Sequence, residues 1–447
     1  MNRPHILLIT SHDTGRYLGC YGRGVNTPSI DRLAEEGIRF DQYFCPSPQC
    51  SPSRGSILTG LYPSNHRMTG LAHLGFSMKE EVRTLPMQLG KAGYETILVG
   101  LSHETIGEHG GVRFTSGEKL GYDRFEQVGR GLAGDVADRV NALLEERANA
   151  TNNTPFFIHA GLFETHRDFE QYSAMADPLE QVSPPAYLPD TVGVRRDFAD
   201  FHGSVKTMDA AINRIMTTLK ASGLDEHTLV IYTTDHGIAF PRAKGTFMDA
   251  GLETSLIFYW PGRIQGGRTI QELLCNIDLM PTLLELAGAQ IPNGIDGYSF
   301  LPLLQLEDSE QSYKPREQFF CELTWHDLYH PMRGLRTDRY KYVCNFERGP
   351  SVYLPLDIHR SLSGQAVREE YYVPNVPEEL YDLENDPLER VNLAKDQQYE
   401  HMLNDFRSRV LRWMEDNGDP LLKGPVPGSM APEWQLEFDQ GTAYIES

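Results

Sequence analysis

Six short stretches of this 447-residue chain carry residue types suited to chemistry on an anion at a metal. Cys50 opens the run Cys50-Ser51-Pro52-Ser53-Arg54, and Leu58-Thr59-Gly60 follows it. His12-Asp13 stand near the N-terminus, and Asp235-His236 lie far downstream. His103, the pair His166-Arg167 and Lys244 complete the set. Carboxylates and imidazoles are ligands for a divalent metal. Lysine and arginine suit an anionic substrate. A thiol at a helix start is a candidate reactive group. Each residue also has a plainer reading. Asp13 and Asp235 could be loop carboxylates that cap helices, His103 and His166 satisfied surface histidines, and Lys244 a solvated loop charge. Joint placement outweighs those readings, because each stretch directly follows a predicted strand or lies in the loop after one.

The elements that must position these groups can be read from periodicity. Continuous apolar runs predict strands at residues 6–10, 38–44, 94–100, 156–162, 229–234 and 255–260. Helical patterns lie between them, at 136–150, 195–222 and 278–287. Thr27-Pro28 opens another helix and Gly37 stops it. A short helix is expected to open at Pro52 or Ser53 and to end near Gly60. This alternation predicts an α/β fold with a large central mixed sheet flanked by helices, in which ligands sit beyond the carboxyl ends of the strands. Past residue 315 the pattern becomes short antiparallel strands, at 318–323, 332–337 and 340–345, then a helix at 399–416. Two units are therefore expected, a catalytic α/β domain over 1–314 and a smaller C-terminal α+β subdomain over 315–447. The last 30 residues, rich in Pro and Gly, are expected to form an arm on the body or on a partner subunit of a homo-oligomer.

A formal net charge of −21 disfavours nucleic acid and anionic membranes as partners. No apolar run reaches the roughly 20 residues that span a bilayer. The apolar stretch after the first five residues lacks a signal-peptide cleavage pattern, so a cytoplasmic protein is expected. The six cysteines (20, 45, 50, 275, 321 and 344) are irregularly spaced, which fits free thiols in a reducing compartment.

The run Cys50-x-Pro52-x-Arg54 with Leu58-Thr59-Gly60, and Asp235-His236 after it, resembles the signature of the type I sulfatases of the alkaline-phosphatase superfamily. Thr27-Pro28-x-Ile30-Asp31-x-Leu33, Asp278-x-x-Pro281-Thr282-Leu283 and Arg336-Thr337-Asp338-x-Tyr340-Lys341 resemble further landmarks of that family. Gln49-Cys50, His166-Arg167, Gly237-Ile238-x-Phe240-Pro241 and Met332-Arg333 look most like its N-sulfoglucosamine sulfohydrolase branch. The resemblance implies a sulfatase or sulfamidase acting on a small sulfated sugar. It implies that a formylglycine-generating enzyme oxidises Cys50 to formylglycine, the nucleophile in its hydrated form. Arg54 would hold that diol and His103 would orient it. His166 would protonate the leaving group, and Lys244 and Arg167 would bind substrate. Asp13, Asp235, His236 and the modified Cys50 would hold one divalent metal, with His12 as a further ligand.

Two positions depart from the family pattern. His12 stands where a carboxylate is usual, which turns the expected calcium toward manganese, zinc or magnesium. Leu101 stands where a sulfate-binding lysine is usual. A phosphonate monoester or phosphodiester hydrolase of the same superfamily is therefore the alternative enzyme. A catalytically silent binding protein with the same fold is the alternative of another class.

Overall fold

The computed structural model describes residues 3–105, 117–151, 153–306 and 312–428. Its principal sheet comprises β1 (His5–Ser11), β2 (Ile38–Phe40), β4 (Glu95–Gly100), β5 (Arg124–Glu126), β6 (Phe156–Gly161), β7 (Thr228–Thr234), β8 (Leu256–Tyr259) and β9 (Arg268–Ile270). Between β2 and β4 in sequence, the short β3 (Tyr43–Phe44) pairs instead with β10 (Leu274–Cys275) in a separate ribbon. The spatial order is β5-β4-β6-β1-β7-β8-β2-β9. β8 runs antiparallel to both β7 and β2, which makes the sheet mixed.

β1 and β7 lie at its centre and are almost wholly buried, so both read as unbroken apolar or β-branched runs. Side-chain alternation divides them between two cores. Leu7 and Ile9 join the core under the helices Ala133–Ala148 and Val192–Ala221. Ile6 and Leu8 join the opposite core, with the helix Leu279–Leu286.

Two local expectations shift. The strand expected over 38–44 divides, because Asp41 leaves the ladder with its carboxylate on the guanidinium of Arg39, and β3 then joins β10. The helix expected from residue 52 or 53 begins at Cys50 and runs to Thr59. Proline lacks only an N–H that the first turn leaves unpaired, so Pro52 fits inside that turn.

The C-terminal sheet is antiparallel, in the order β11 (Gln318–Trp325), β12 (Tyr329–Thr337), β13 (Tyr340–Asn345), β14 (Glu378–Asp382). The helix Glu400–Asp416 packs against it. One buried cluster joins this sheet to the body, with Phe44, Cys45 and Cys275 against Phe319, Cys321 and Leu335. Arg333, fully buried, is paired with Asp419 beyond the helix. Trp325 donates its Nε1–H to the carbonyl of Val426, which fixes the start of the final segment. The rest of the expected C-terminal arm, from residue 429, lies outside the described residues. All six cysteines are free thiols. Among the described residues no helix is long and apolar enough to cross a membrane.

Candidate active site

The register of β1 and β7 builds the floor of the site. Ser11 pairs with Thr234, so the residues leaving both strands emerge side by side. His12-Asp13 and Asp235-His236 are those residues. The Asp13 N–H donates to Asp235 Oδ1 at 2.9 Å, and Asp13 takes a left-handed φ of 54° that turns its carboxylate inward. Aspartate is among the few non-glycine residues that visit this region readily.

Cys50 arrives from the helix Cys50–Thr59. Arg54, one turn on, lies on the same face. Its Nε donates to Asp235 Oδ2 at 2.9 Å and its Nη2 to the Ser11 carbonyl at 3.0 Å. Its Nη1 is buried with no partner among the described residues.

One atom from each of His12, Asp13, Cys50, Asp235 and His236 falls in a group spanning at most 4.8 Å, and all five residues are buried. The His236 Nδ1 lies 2.9 Å from its Gly237 carbonyl acceptor, which leaves Nε2 to face Asp13 Oδ1 at 3.0 Å and Cys50 Sγ at 3.5 Å. A backbone partner on one ring nitrogen that frees the other is the usual support of a metal-ligating histidine. His12 Nδ1 lies 2.8 Å from Asp13 Oδ1 and 3.3 Å from Asp235 Oδ2. The donor set fits a divalent cation. Two imidazoles beside two carboxylates suit manganese, zinc or iron better than calcium, which prefers oxygen ligands.

Electrostatics in this pocket run against burial. Burial lowers the pKa of His12, but the charges of Asp235, Cys50 and Asp13 outweigh it and hold the imidazole up at about 9. Burial raises the Cys50 thiol, yet His12 and Lys244 bring it well below the ordinary thiol value. Lys244 donates to Asp13 Oδ2 at 2.8 Å and to Asp357 Oδ2 at 3.0 Å. Those anions hold its ammonium well above the usual lysine value despite burial.

A cavity of about 330 Å3 opens over this floor, with His12, Cys50, His103, His166 and Lys244 in its lining. His166 directs Nδ1 to the Arg167 carbonyl at 2.7 Å, so Nε2 is the nitrogen left for a ligand. Burial, then Lys244, lowers its pKa. His103 stacks on His73, with Nε2 3.0 Å from His73 Nδ1.

Arg167 lies in the same lining. Its guanidinium makes two bonds to Asp197, at 2.8 and 2.9 Å, while Nε donates to the Ala239 carbonyl at 2.9 Å. It also lies over the rings of Phe169 and Phe240. Arg167 thus lies in the cavity lining with its guanidinium paired to Asp197. Sequence reading missed His73, Arg130, His326, Asp327 and Asp357, which line the same cavity. His326 and Asp327 come from the hairpin between β11 and β12, and Asp357 from the short helix Leu356–His359 between β13 and β14. No strand-end rule for the first sheet could have found them.

Comparison with known proteins agrees with this arrangement. The family model described as Sulfatase matches residues 4–289, and the one described as N-sulphoglucosamine sulphohydrolase, C-terminal, matches residues 242–361. An ulvan-active sulfatase of Formosa agariphila is 29% identical, over 95% of this chain and 82% of its own length. The N-sulphoglucosamine sulphohydrolase of Homo sapiens is 27% identical, over 95% of this chain and 92% of its own. Among solved structures, a 2-O GAG sulfatase superposes with a TM-score of 0.72 at 21% identity, covering 97% of this chain and 96% of that one. The phosphonate monoester hydrolase of Agrobacterium radiobacter superposes with a TM-score of 0.71 at 19% identity, covering 93% and 96%.

Proposed function

The chain belongs to the sulfatase family and is a sulfuric ester hydrolase, and we propose that it removes sulfate from a sulfated sugar, by ester or sulfamate hydrolysis, through a formylglycine made from Cys50. The observation that carries this reading is the position of Cys50. It is the first residue of a buried helix, with its sulfur within the group of His12, Asp13, Asp235 and His236. The thiol here stands in for the oxygens of the hydrated aldehyde. That hydrate supplies one hydroxyl to attack sulfur and a second to expel sulfate afterwards. A divalent cation held by Asp13, Asp235, His236 and His12 would offset the negative charge of the sulfate oxygens.

The chain's own groups divide the remaining work. Arg54 fixes Asp235, and its unpaired Nη1 remains free to hold the diol. His103, beside Cys50 in the cavity wall, orients the same group. Lys244 pairs with a sulfate oxygen on the cavity side, which compensates in part for Leu101. His166 gives its Nε2 proton to the leaving oxygen or nitrogen. An anionic sulfate nearby favours that proton and counters the burial that lowers the pKa of the ring. N-sulfoglucosamine is the first substrate to try, since a relative acting by name on that sugar sulfamate aligns over nearly the whole chain.

The imidazole of His12 favours a second reading, hydrolysis of a phosphonate monoester or phosphodiester. A panel separates the two. Sulfated sugars and nitrophenyl sulfate are expected to turn over faster than aryl phosphonates. Turnover of phosphonates alone would favour the second reading.

A further inference from the structure

Part of the cavity wall comes from outside the first sheet, from the hairpin between β11 and β12. His326 stands there, 4% exposed, in the lining of the same cavity as Cys50 and His166. Its Nδ1 lies 3.1 Å from Asp327 Oδ2. That carboxylate is itself fixed, accepting the Leu356 N–H at 2.6 Å and the Tyr353 hydroxyl at 3.4 Å. A fixed carboxylate beside Nδ1 selects the tautomer protonated there and leaves a lone pair on Nε2. Both ring nitrogens are buried and neither makes a well-aligned hydrogen bond among the described residues, although Nδ1 has the Asp327 carboxylate beside it. A buried polar atom left unpaired is costly, and one aimed into a binding cavity is the usual mark of a missing ligand.

The chemistry of this wall says what the ligand offers. The lone pair of Nε2 repels sulfate oxygens. Asp327, next to it in the hairpin and in the same lining, is a carboxylate and also an acceptor. The sulfate end of the cavity is marked instead by Lys244. A cavity lined both by Lys244 and by the His326–Asp327 pair matches a molecule that carries an anionic group and O–H or N–H donors. We propose that His326 is a specificity-determining residue, whose Nε2 accepts a hydrogen bond from a hydroxyl or N–H of the sugar bearing the scissile sulfate, with Asp327 positioning the ring. This rests on the sulfatase reading above.

The test compares kcat/KM for nitrophenyl sulfate, N-sulfoglucosamine and glucosamine 6-sulfate in the enzyme matured at Cys50. His326→Phe retains the ring's bulk beside Tyr353 and removes both nitrogens. It is expected to lower the sugar-to-aryl ratio of kcat/KM by about 30-fold or more. His326→Gln, whose Oε1 can accept, is expected to recover most of that loss. A fall on the N-sulfated sugar alone identifies the sulfamate N–H as donor, and a fall on both sugars identifies a ring hydroxyl. A ratio unchanged within about threefold in folded His326→Phe, or parallel losses on sugar and aryl substrates, would overturn the assignment. Wild-type turnover of nitrophenyl sulfate reports the sulfatase reading separately. Nitrogen-15 NMR of His326 titrated with unsulfated glucosamine needs no turnover at all. A shift at Nε2 that is lost in Asp327→Asn supports the proposal, and an unmoved Nε2 resonance contradicts it.

Discussion

The two walls of the cavity are built differently. The floor, from the ends of β1 and β7 and the first turn of one helix, is buried and crowded with paired charges: Asp13 with Lys244, Asp235 with Arg54, and two imidazoles between them. The wall from the hairpin between β11 and β12 holds groups with spare capacity, His326 being buried there without a well-aligned hydrogen bond among the described residues. Groups locked by mutual pairing are suited to stabilising one charge distribution without reorganising. Groups with unused hydrogen-bonding capacity are suited to recognising a variable partner. On the proposed function, the difference assigns the reaction to the first sheet and substrate choice to the hairpin of the C-terminal sheet.

The sharpest way to break this comparison is at the floor. Asp13→Asn keeps a side chain that tolerates the left-handed φ of 54° and removes one buried charge. It is expected to lower kcat/KM on every substrate by about 1,000-fold. A loss restricted to sugars would mean that floor and wall do not divide the work in this way.

His166 sits between the two regions and should show it. His166→Ala is expected to lower kcat by about 100-fold or more for sugar leaving groups and far less for nitrophenolate, which departs without a proton. Equal losses on both substrates would remove the acid role.

How far the sequence discloses these regions follows from the same difference. Floor residues directly follow predicted strands, and parallel neighbours of matched register must deliver them together. Thus His12, Asp13, Asp235 and His236 were legible, as was Cys50 from its motif. His326, Asp327 and Asp357 depend on how a second sheet docks on the first, which no local period encodes. The pairing of Arg167 was out of reach for a related reason. Its partner Asp197 is thirty residues away on a helix, and only packing brings the two together.

That pairing has its own check. Arg167→Ala leaves Asp197 buried without its cation, at a cost of about 3 kcal/mol. For a chain of this length that is about 3 °C in thermal midpoint. Calorimetry should show the fall, while inhibition by free sulfate stays within about threefold. A large loss of sulfate affinity without destabilisation would assign Arg167 to the substrate.

The smallest effect lies in the C-terminal sheet. Burial raises the Glu322 carboxyl to about 7, against the pull of Arg333 and the donors of Ser64, with Asp419 adding to the rise. Between its ordinary value near 4.5 and about 7, the folded state therefore binds a proton that the unfolded state has released. Stability falls as pH rises through that window, by roughly 3 kcal/mol at most. Glu322→Gln should remove this slope, so its thermal midpoint gains on the wild type by about 2 °C between pH 5 and pH 8. A constant difference across that range would show that Glu322 does not titrate there.

The central claim, that Cys50 is the source of the nucleophile, is tested most directly by mass spectrometry of the Cys50 peptide alongside turnover of the same preparation. Sulfatase activity should rise in proportion to the fraction of Cys50 converted to formylglycine, and should vanish in Cys50→Ala. Full activity in a preparation whose Cys50 is entirely an unmodified thiol would contradict the account.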